Sequence, residues 1–284
     1  QGLVDPVKPC AAEGERRHDG NQHGHREHRR RVDAGELVDE ALRGRTAALG
    51  LFDRVDDAGQ RRLRRRGGDT ALEAFAAVGF DVPSVVEAQQ EPDGSFPTVS
   101  FPNPEEPGAM DLVIELAQKI GADLALANDP DADRLGVAIP TGKDPTRDWR
   151  LLRGDEIGWL LGDHVLRHTS GDDRLVVTTL VSSSLLGKMA RKHGVAFAET
   201  FTGFKWIADA VVRRPNTRLV FAYEQALGYL VADRPLDKDG ISAALSIAQI
   251  ATDLHGQGKT LLDFLDEIWA VYGFHATEQI SIRV

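Results

Sequence analysis

"LALANDPDADRLGVAI", residues 124–139, sets Asp129, Asp131 and Asp133 at alternate positions, follows them at once with Arg134, and encloses the group between two apolar runs. The apolar flanks draw the loop into a folded domain, and "DLALA" just before it reads as a short buried strand. In an α/β sheet, ligands gather at the carboxyl ends of the strands, where these aspartates stand. Residues two apart in extended chain share a face, so the three carboxylates converge if the loop curls. Held that close they repel one another unless a cation neutralises them. Oxygen-only donors select a hard ion such as Mg²⁺ or Ca²⁺ over Zn²⁺.

The loop admits three other readings. An EF-hand needs Gly at its sixth position and Glu at its twelfth, where this chain has Arg134 and Pro140. A phosphatase with an aspartyl nucleophile requires only an apolar strand followed by D-x-D, which Asp129 and Asp131 satisfy. A solvated acidic turn is the third. Arg134 favours phosphoryl chemistry, because a guanidinium serves a site that holds a phosphoryl group beside a metal and serves a bare cation site not at all.

Outward from the loop, helical and strand signals alternate. "DTALEAFAAVG" (69–79) has helical spacing and a Gly stop, "VPSVVEA" (82–88) is a β-branched run, and "PGAMDLVIELAQKIG" (107–121) is a helix with Pro near its start and Gly at its end. Between the last two, "QQEPDGSFPTVSFPNPEEPG" (89–108) reads as a long ordered loop, a length that often carries function. The polar stretch "PTGKDPTRDWR" (140–150) reads as a hinge. Beyond it, "GDEIGWLLGDHVLRH" (154–168) is an amphipathic helix and "RLVVTTLV" (174–181) a buried strand. "SSSLLGKMARKHG", "VAFAET", "GFKWIADAVVRR", "RLVFAYE", "DGISAALSIAQIATDLHG" and "TLLDFLDEIWAVYG" continue the alternation to residue 273. The expected fold class is α/β: two consecutive three-layer α/β/α domains with mixed, mostly parallel sheets, spanning 67–148 and 149–272. No internal repeat shows at the level of sequence identity.

The front of the chain differs. Residues 1–66 are crowded with Arg and His, contain a single Lys and lack Ser, since the first serine is Ser84. This atypical segment reads either as a solvated, partly helical tail, with "AGELVDEALRGRTAALGLF" (34–52) at helical spacing, or as GC-rich DNA translated in a wrong frame. His18, His23, His25 and His28 suggest a metal-binding tract, yet His-rich runs without apolar neighbours are seldom preorganised. Gln1 in place of Met points to sequence missing upstream.

Composition sets limits. The 284 residues carry a formal net charge of -10 with 42% hydrophobic residues, which fills two ordinary cores and argues against nucleic-acid binding. Cys10 is the only cysteine and no apolar stretch approaches the roughly 20 residues of a membrane span. A soluble, cytoplasmic protein with small-molecule partners is expected, with no nucleic acid and no membrane.

From about Gly68 onward the chain resembles the α-D-phosphohexomutases, which include phosphoglucomutase and phosphomannomutase. "NDPDADR" resembles that family's magnesium loop, which implies Mg²⁺ held by Asp129, Asp131 and Asp133. "TGFKWI" (202–207) and "YEQALGY" (223–229) resemble two phosphosugar-contacting loops of its third domain, and "DKDG" (237–240) is also typical. The resemblance implies substrate-binding roles for Gly203, Lys205, Glu224 and Ala226, and catalytic roles for Arg134 and Lys205. On the residues themselves, Lys205 after a Gly turn has the reach for a phosphate or a sugar hydroxyl. Glu224, at the end of an apolar strand, can accept hydrogen bonds from adjacent hydroxyls.

Family members move a phosphoryl group between two hydroxyls of one sugar phosphate through a sugar bisphosphate intermediate, with a phosphoserine as carrier. The resemblance covers the second and third of four domains. The serine loop of type T-A-S-H-N-P is not in this chain, "GFHATEQISIRV" (273–284) looks like the linker toward the fourth domain, and "RRLRRRGG" stands where the family's second domain opens with an apolar strand. The expectation is therefore a mutase segment that alone is inactive, or a catalytically dead Mg²⁺-binding fragment. Gln225 and Ala226, where many relatives have Glu or Met and then Ser, leave glucose, mannose and pentose phosphates open.

Overall fold

The computed structural model describes residues 47–51, 67–91, 93–142, 144–146, 148–232 and 234–278. The run holding His18, His23, His25 and His28 lies outside them.

The first sheet has the order β2-β1-β3-β4-β5, built from β1 (Ala47–Leu51), β2 (Ser84–Val85), β3 (Leu124–Asn128), β4 (Leu135–Pro140) and β5 (Trp149–Leu151). β1, β2 and β3 run parallel, and β4 and β5 are added antiparallel in turn. Side chains alternate between its faces, as a two-residue period requires. Leu49, Leu124 and Leu126 point to the face covered by α1 (Gly67–Ala77) and α7 (Gly240–Gly256). Ala48, Ala125 and Ala127 point to the other, where Val113 and Ala117 of α3 (Asp111–Ile120) cover them. Small alanines let α3 lie close on the sheet, and Gly121 ends that helix in the left-handed region at φ 68°.

The second sheet has the order β7-β6-β8-β9, from β6 (Arg174–Thr179), β7 (Ala196–Thr200), β8 (Arg218–Glu224) and β9 (Gly228–Leu230). β6, β7 and β8 are parallel and β9 returns antiparallel to β8. One face joins the large core through Val176, Phe221 and Tyr223 under α4 (Gly154–His168) and α5 (Leu185–Lys192). The other buries Leu175, Val177 and Leu219 against Phe204 and Ile207 of α6 (Phe204–Val212). The register of β6 on β8 slips so that Leu175 pairs with Leu219 and Val176 with Phe221, leaving Val220 as the extra residue.

The α/β expectation therefore holds, and the two sheets share more than their class. In each, the first strand is interior, the second takes one edge, the third lies on the opposite side, and a hairpin turns the chain back antiparallel; the first sheet adds β5 beyond this shared set. The repeat is topological, with no matching sequence to announce it.

Two expectations change. "AALGL" does not continue a helix: it is β1, paired with both β2 and β3, and it supplies an opening strand to the first sheet upstream of "RRLRRRGG", where none was expected. Ala and Leu are good helix formers, and two flanking strands override that preference. The supposed hinge at 140–150 is a hairpin connection, with Ala138, Ile139 and Pro140 paired to Leu151, Arg150 and Trp149, so a boundary at 148/149 cuts through the first sheet. Among the described residues no helix is long and apolar enough to cross a membrane.

α4 sets the position of the second sheet's last hairpin. Gly154, Gly158 and Gly162 fall on one face of the helix, and a Cβ at each would meet the Gln225 carbonyl oxygen at 1.6 Å, the Tyr223 ring at 2.6 Å, and Leu186 and the Phe221 ring at 3.1 and 3.2 Å. Three bare positions thus let the helix backbone lie directly on β8 and the turn after it. Buried Asp155 fixes the contact, accepting hydrogen bonds from Tyr223 Oη and Ser183 N, both at 2.8 Å. Tyr229 Oη donates to the Gly154 carbonyl at 3.0 Å.

Candidate functional site

Asp129, Asp131 and Asp133 leave the carboxyl end of β3 in the connection to β4. Their carboxylates converge, one oxygen of each lying within 4.8 Å of the others. The loop curls because Ala132 adopts φ 59° and its N–H bonds back to the Asp129 carbonyl at 2.9 Å. Asn128, fully buried, ties the base of the loop by donating from Nδ2 to the Arg134 carbonyl at 2.7 Å. Arg134 N donates to Asp129 Oδ1 at 3.0 Å and its guanidinium lies 3.5 Å from Asp129 Oδ2.

Burial, then the neighbouring Asp133 and Asp131 carboxylates, pushes the Asp129 carboxyl up to about 6, against the lowering effect of the Arg134 N–H. The donor set is all oxygen, closely spaced and short of positive charge, which fits a hard divalent cation. The long loop sets Glu105 within electrostatic reach of Arg134: burial raises the pKa of Glu105, and the Arg134 guanidinium partly offsets the rise.

The other three motifs assemble around this loop. "YEQALGY" is the β8–β9 hairpin, the counterpart of the aspartate hairpin in the second sheet, and it too turns through one left-handed non-glycine residue, Leu227 at φ 61°. The two hairpins join where Arg134 pairs antiparallel with Gly228 and Leu135 N donates to the Leu227 carbonyl at 3.0 Å. Glu224, 8% exposed, accepts from Gly203 N and so fixes the "TGFKWI" turn at the start of α6. Gly203 sits at φ 115°, a conformation suited to glycine. Ala226 is half-buried in the hairpin turn. Lys205 is exposed on the first turn of α6, its ammonium 5.5 Å from the Trp206 ring; among the described residues it contacts neither the aspartates nor Glu224.

"DKDG" closes the assembly. Asp239 caps α7, accepting from Ile241 N and Ser242 N at 3.0 and 3.3 Å. Gly240 N donates to the Ala132 carbonyl at 3.1 Å, which sets the helix N-terminus against the aspartate loop. Lys238 reaches Asp133 Oδ2 and lies 3.8 Å from Asp237 Oδ1. Sequence reading marked the motif without giving Lys238 a task; a lysine between two aspartates is the signal that was there.

Two family models match: the phosphoglucomutase/phosphomannomutase alpha/beta/alpha domain II over residues 66–142 and domain III over residues 153–272. The chain belongs to the phosphoglucomutase/phosphomannomutase family. A probable phosphomannomutase of Haemophilus influenzae is 43% identical over 219 residues, covering 77% of this chain and 43% of that protein. A mouse phosphopentomutase is 40% identical over 215 residues, 72% of this chain and 34% of that protein. The chain thus spans less than half the length of these relatives. In fold it is similar to the crystal structure of a putative phosphomannomutase from Thermus thermophilus, with a TM-score of 0.60 at 20% identity over 82% of this chain and 47% of the other. Members of the family are phosphomutases, and in this one the motifs of two domain types meet through backbone contacts, Arg134 with Gly228 and Gly240 N with the Ala132 carbonyl.

Proposed function

We propose that the chain carries the metal loop and the sugar loop of a cytoplasmic phosphosugar mutase, which moves a phosphoryl group between two hydroxyls of one sugar phosphate through a sugar bisphosphate. The observation that carries this reading is the pairing of Arg134 with Gly228, which brings the aspartate hairpin and the Glu224 hairpin side by side. A site needing both a divalent cation and a hydroxyl acceptor finds both within one pair of neighbouring turns.

Asp129, Asp131 and Asp133 would hold Mg²⁺. When bound, the ion supplies charge balance to a transferring phosphoryl group, in a reaction that asks mainly for positioning and electrostatic stabilisation. Arg134 adds a fixed positive charge at the edge of the same loop. Glu224 uses one carboxylate oxygen to hold Gly203 and presents the other to sugar hydroxyls, with Ala226 lining the turn. Lys205, on an exposed stem, swings to the substrate's phosphate.

No T-A-S-H-N-P sequence occurs among the 284 residues, so on this reading they bind substrate and do not turn it over alone. The test is binding of glucose 1,6-bisphosphate in saturating Mg²⁺, with a mutase assay primed by the same compound. Glu224→Gln is expected to weaken binding about tenfold, the worth of a hydrogen bond to a charged group, while the assay stays at background. Affinity unchanged in both Glu224→Gln and Asp131→Asn removes the sugar-site reading; turnover removes the claim that the serine loop is indispensable.

A further inference from the structure

Lys238 is the point at which all four motifs touch. Its ammonium is bonded to Asp133, its neighbour Asp237 lies at 3.8 Å, and its side chain is only 21% exposed. The stem is lodged beside the second hairpin and α6: a Cβ on Gly228 would meet Lys238 Cδ at 3.1 Å and the Phe204 ring at 3.0 Å, and the ammonium lies 5.9 Å from that ring's centre. Burial works against the ammonium, but Asp133, Asp237 and Asp131 outweigh it and keep the lysine firmly charged.

The charges explain the placement. Among the described residues the three converging carboxylates meet one guanidinium, on Asp129, and Lys238 brings the second positive charge to the opposite end of the triad. A divalent cation and an ammonium seek the same carboxylate oxygens. Lysine is suited to yielding them, because its charge is a point on a flexible stem with rotatable donors.

We propose that Lys238 is a tethered counter-ion of the triad: it holds Asp133 while no divalent cation is bound and surrenders that carboxylate when one binds. Its ammonium is then released beside Phe204 and Gly228, the residues next to the Gly203 turn and the Glu224 hairpin. Cation binding thereby creates a free positive charge where a phosphosugar would lie, and the two ligands favour each other reciprocally. The inference rests on the triad being the Mg²⁺ site.

The test is calorimetric titration of Mg²⁺ into the 284-residue chain, Lys238→Met and Lys238→Arg. Methionine keeps most of the stem and removes the charge, and is expected to tighten Mg²⁺ binding about tenfold, the sign opposite to loss of a supporting contact; arginine stays within about threefold of the parent. In the parent chain, Mg²⁺ is expected to raise acetylation of Lys238 by acetic anhydride severalfold, read by mass spectrometry against Lys259, which is paired with Glu267 at 2.6 Å. Unchanged or weaker Mg²⁺ binding by folded Lys238→Met, or acetylation that does not rise, overturns the counter-ion role. Should the methionine variant not fold, the acetylation decides alone. A parent chain that takes up no Mg²⁺ removes the metal reading and this inference with it, whereas uptake without tightening removes this inference only.

Discussion

The backbone of Arg134 pairs antiparallel with that of Gly228, stitching the hairpin that holds the three aspartates to the hairpin that follows Glu224. The two hairpins occupy the same place in two sheets whose first four strands share one topology, each after the third strand and each turned through one left-handed residue, Ala132 or Leu227. Equivalent loops of two topological repeats thus lie side by side, and α7 seals the aspartate loop from one side through Gly240.

Gly240 permits that seal by having no side chain. A Cβ there would stand 2.3 Å from the Arg134 carbonyl oxygen, 2.5 Å from Asn128 Nδ2 and 2.8 Å from the Ala132 carbonyl oxygen. Two of these are backbone atoms of the aspartate loop, so loop or helix has to move. Gly240→Ala is expected to cost about 2–3 kcal/mol in urea unfolding and to weaken Mg²⁺ binding; a variant that matches the parent in both would show the contact to be loose.

The glycine face of α4 makes a second, separable prediction. Gly158→Ala drives a methyl group into the buried Tyr223 ring, which would be 2.6 Å away, and should destabilise the chain by about 2 kcal/mol. Gly256→Ala, at the last turn of α7 with nothing within 4 Å of its Cβ, should leave stability unchanged or raise it by up to about 1 kcal/mol. Urea midpoints of the two variants measured side by side distinguish close packing from a general intolerance of alanine.

His164 gives the fold a pH dependence. Burial, then the adjacent His168 ring 4.2 Å away, lowers its pKa from 6.5 to about 4, against the raising effect of Asp253 and Asp163 and with a further lowering by Arg167. Between those two values the unfolded chain binds a proton that the folded chain does not, so this residue's contribution to stability is full above pH 6.5 and is lost as pH falls toward 4. His164→Gln should lose about 1 kcal/mol less than the parent between about pH 6.5 and about pH 5. Urea midpoints at three pH values across that window check it, and parallel curves for parent and variant would contradict it.

Much of this was legible in the residues. β3, the aspartate loop and the apolar run after it announced themselves, because a buried strand meeting three carboxylates is a pattern that composition alone does not produce. α3 was equally plain, with Pro near its start and Gly121 at its end. β1 was not, since "AALGL" has helical preferences and becomes a strand only through β2 and β3, which lie far along the chain. The hairpin at β4 and β5 hid behind a polar connection that reads like a hinge. Gly154, Gly158 and Gly162 looked like ordinary positions on an amphipathic helix, because the partner that demands their smallness, β8, is about sixty residues away. The task of Lys238 is hidden for the same reason: its carboxylate partner, Asp133, lies about a hundred residues away, in the loop after β3 of the other sheet.

The central claim, that Asp129, Asp131 and Asp133 form one divalent-cation site, is tested most directly by calorimetric titration of Mg²⁺ into the 284-residue chain and its Asp131→Asn variant under the same conditions. Saturable binding at a single site is expected in the parent, with affinity lower by at least about tenfold in the variant, which exchanges a charged ligand for a neutral one. Equal binding by the two chains, or none by a folded parent, would contradict it.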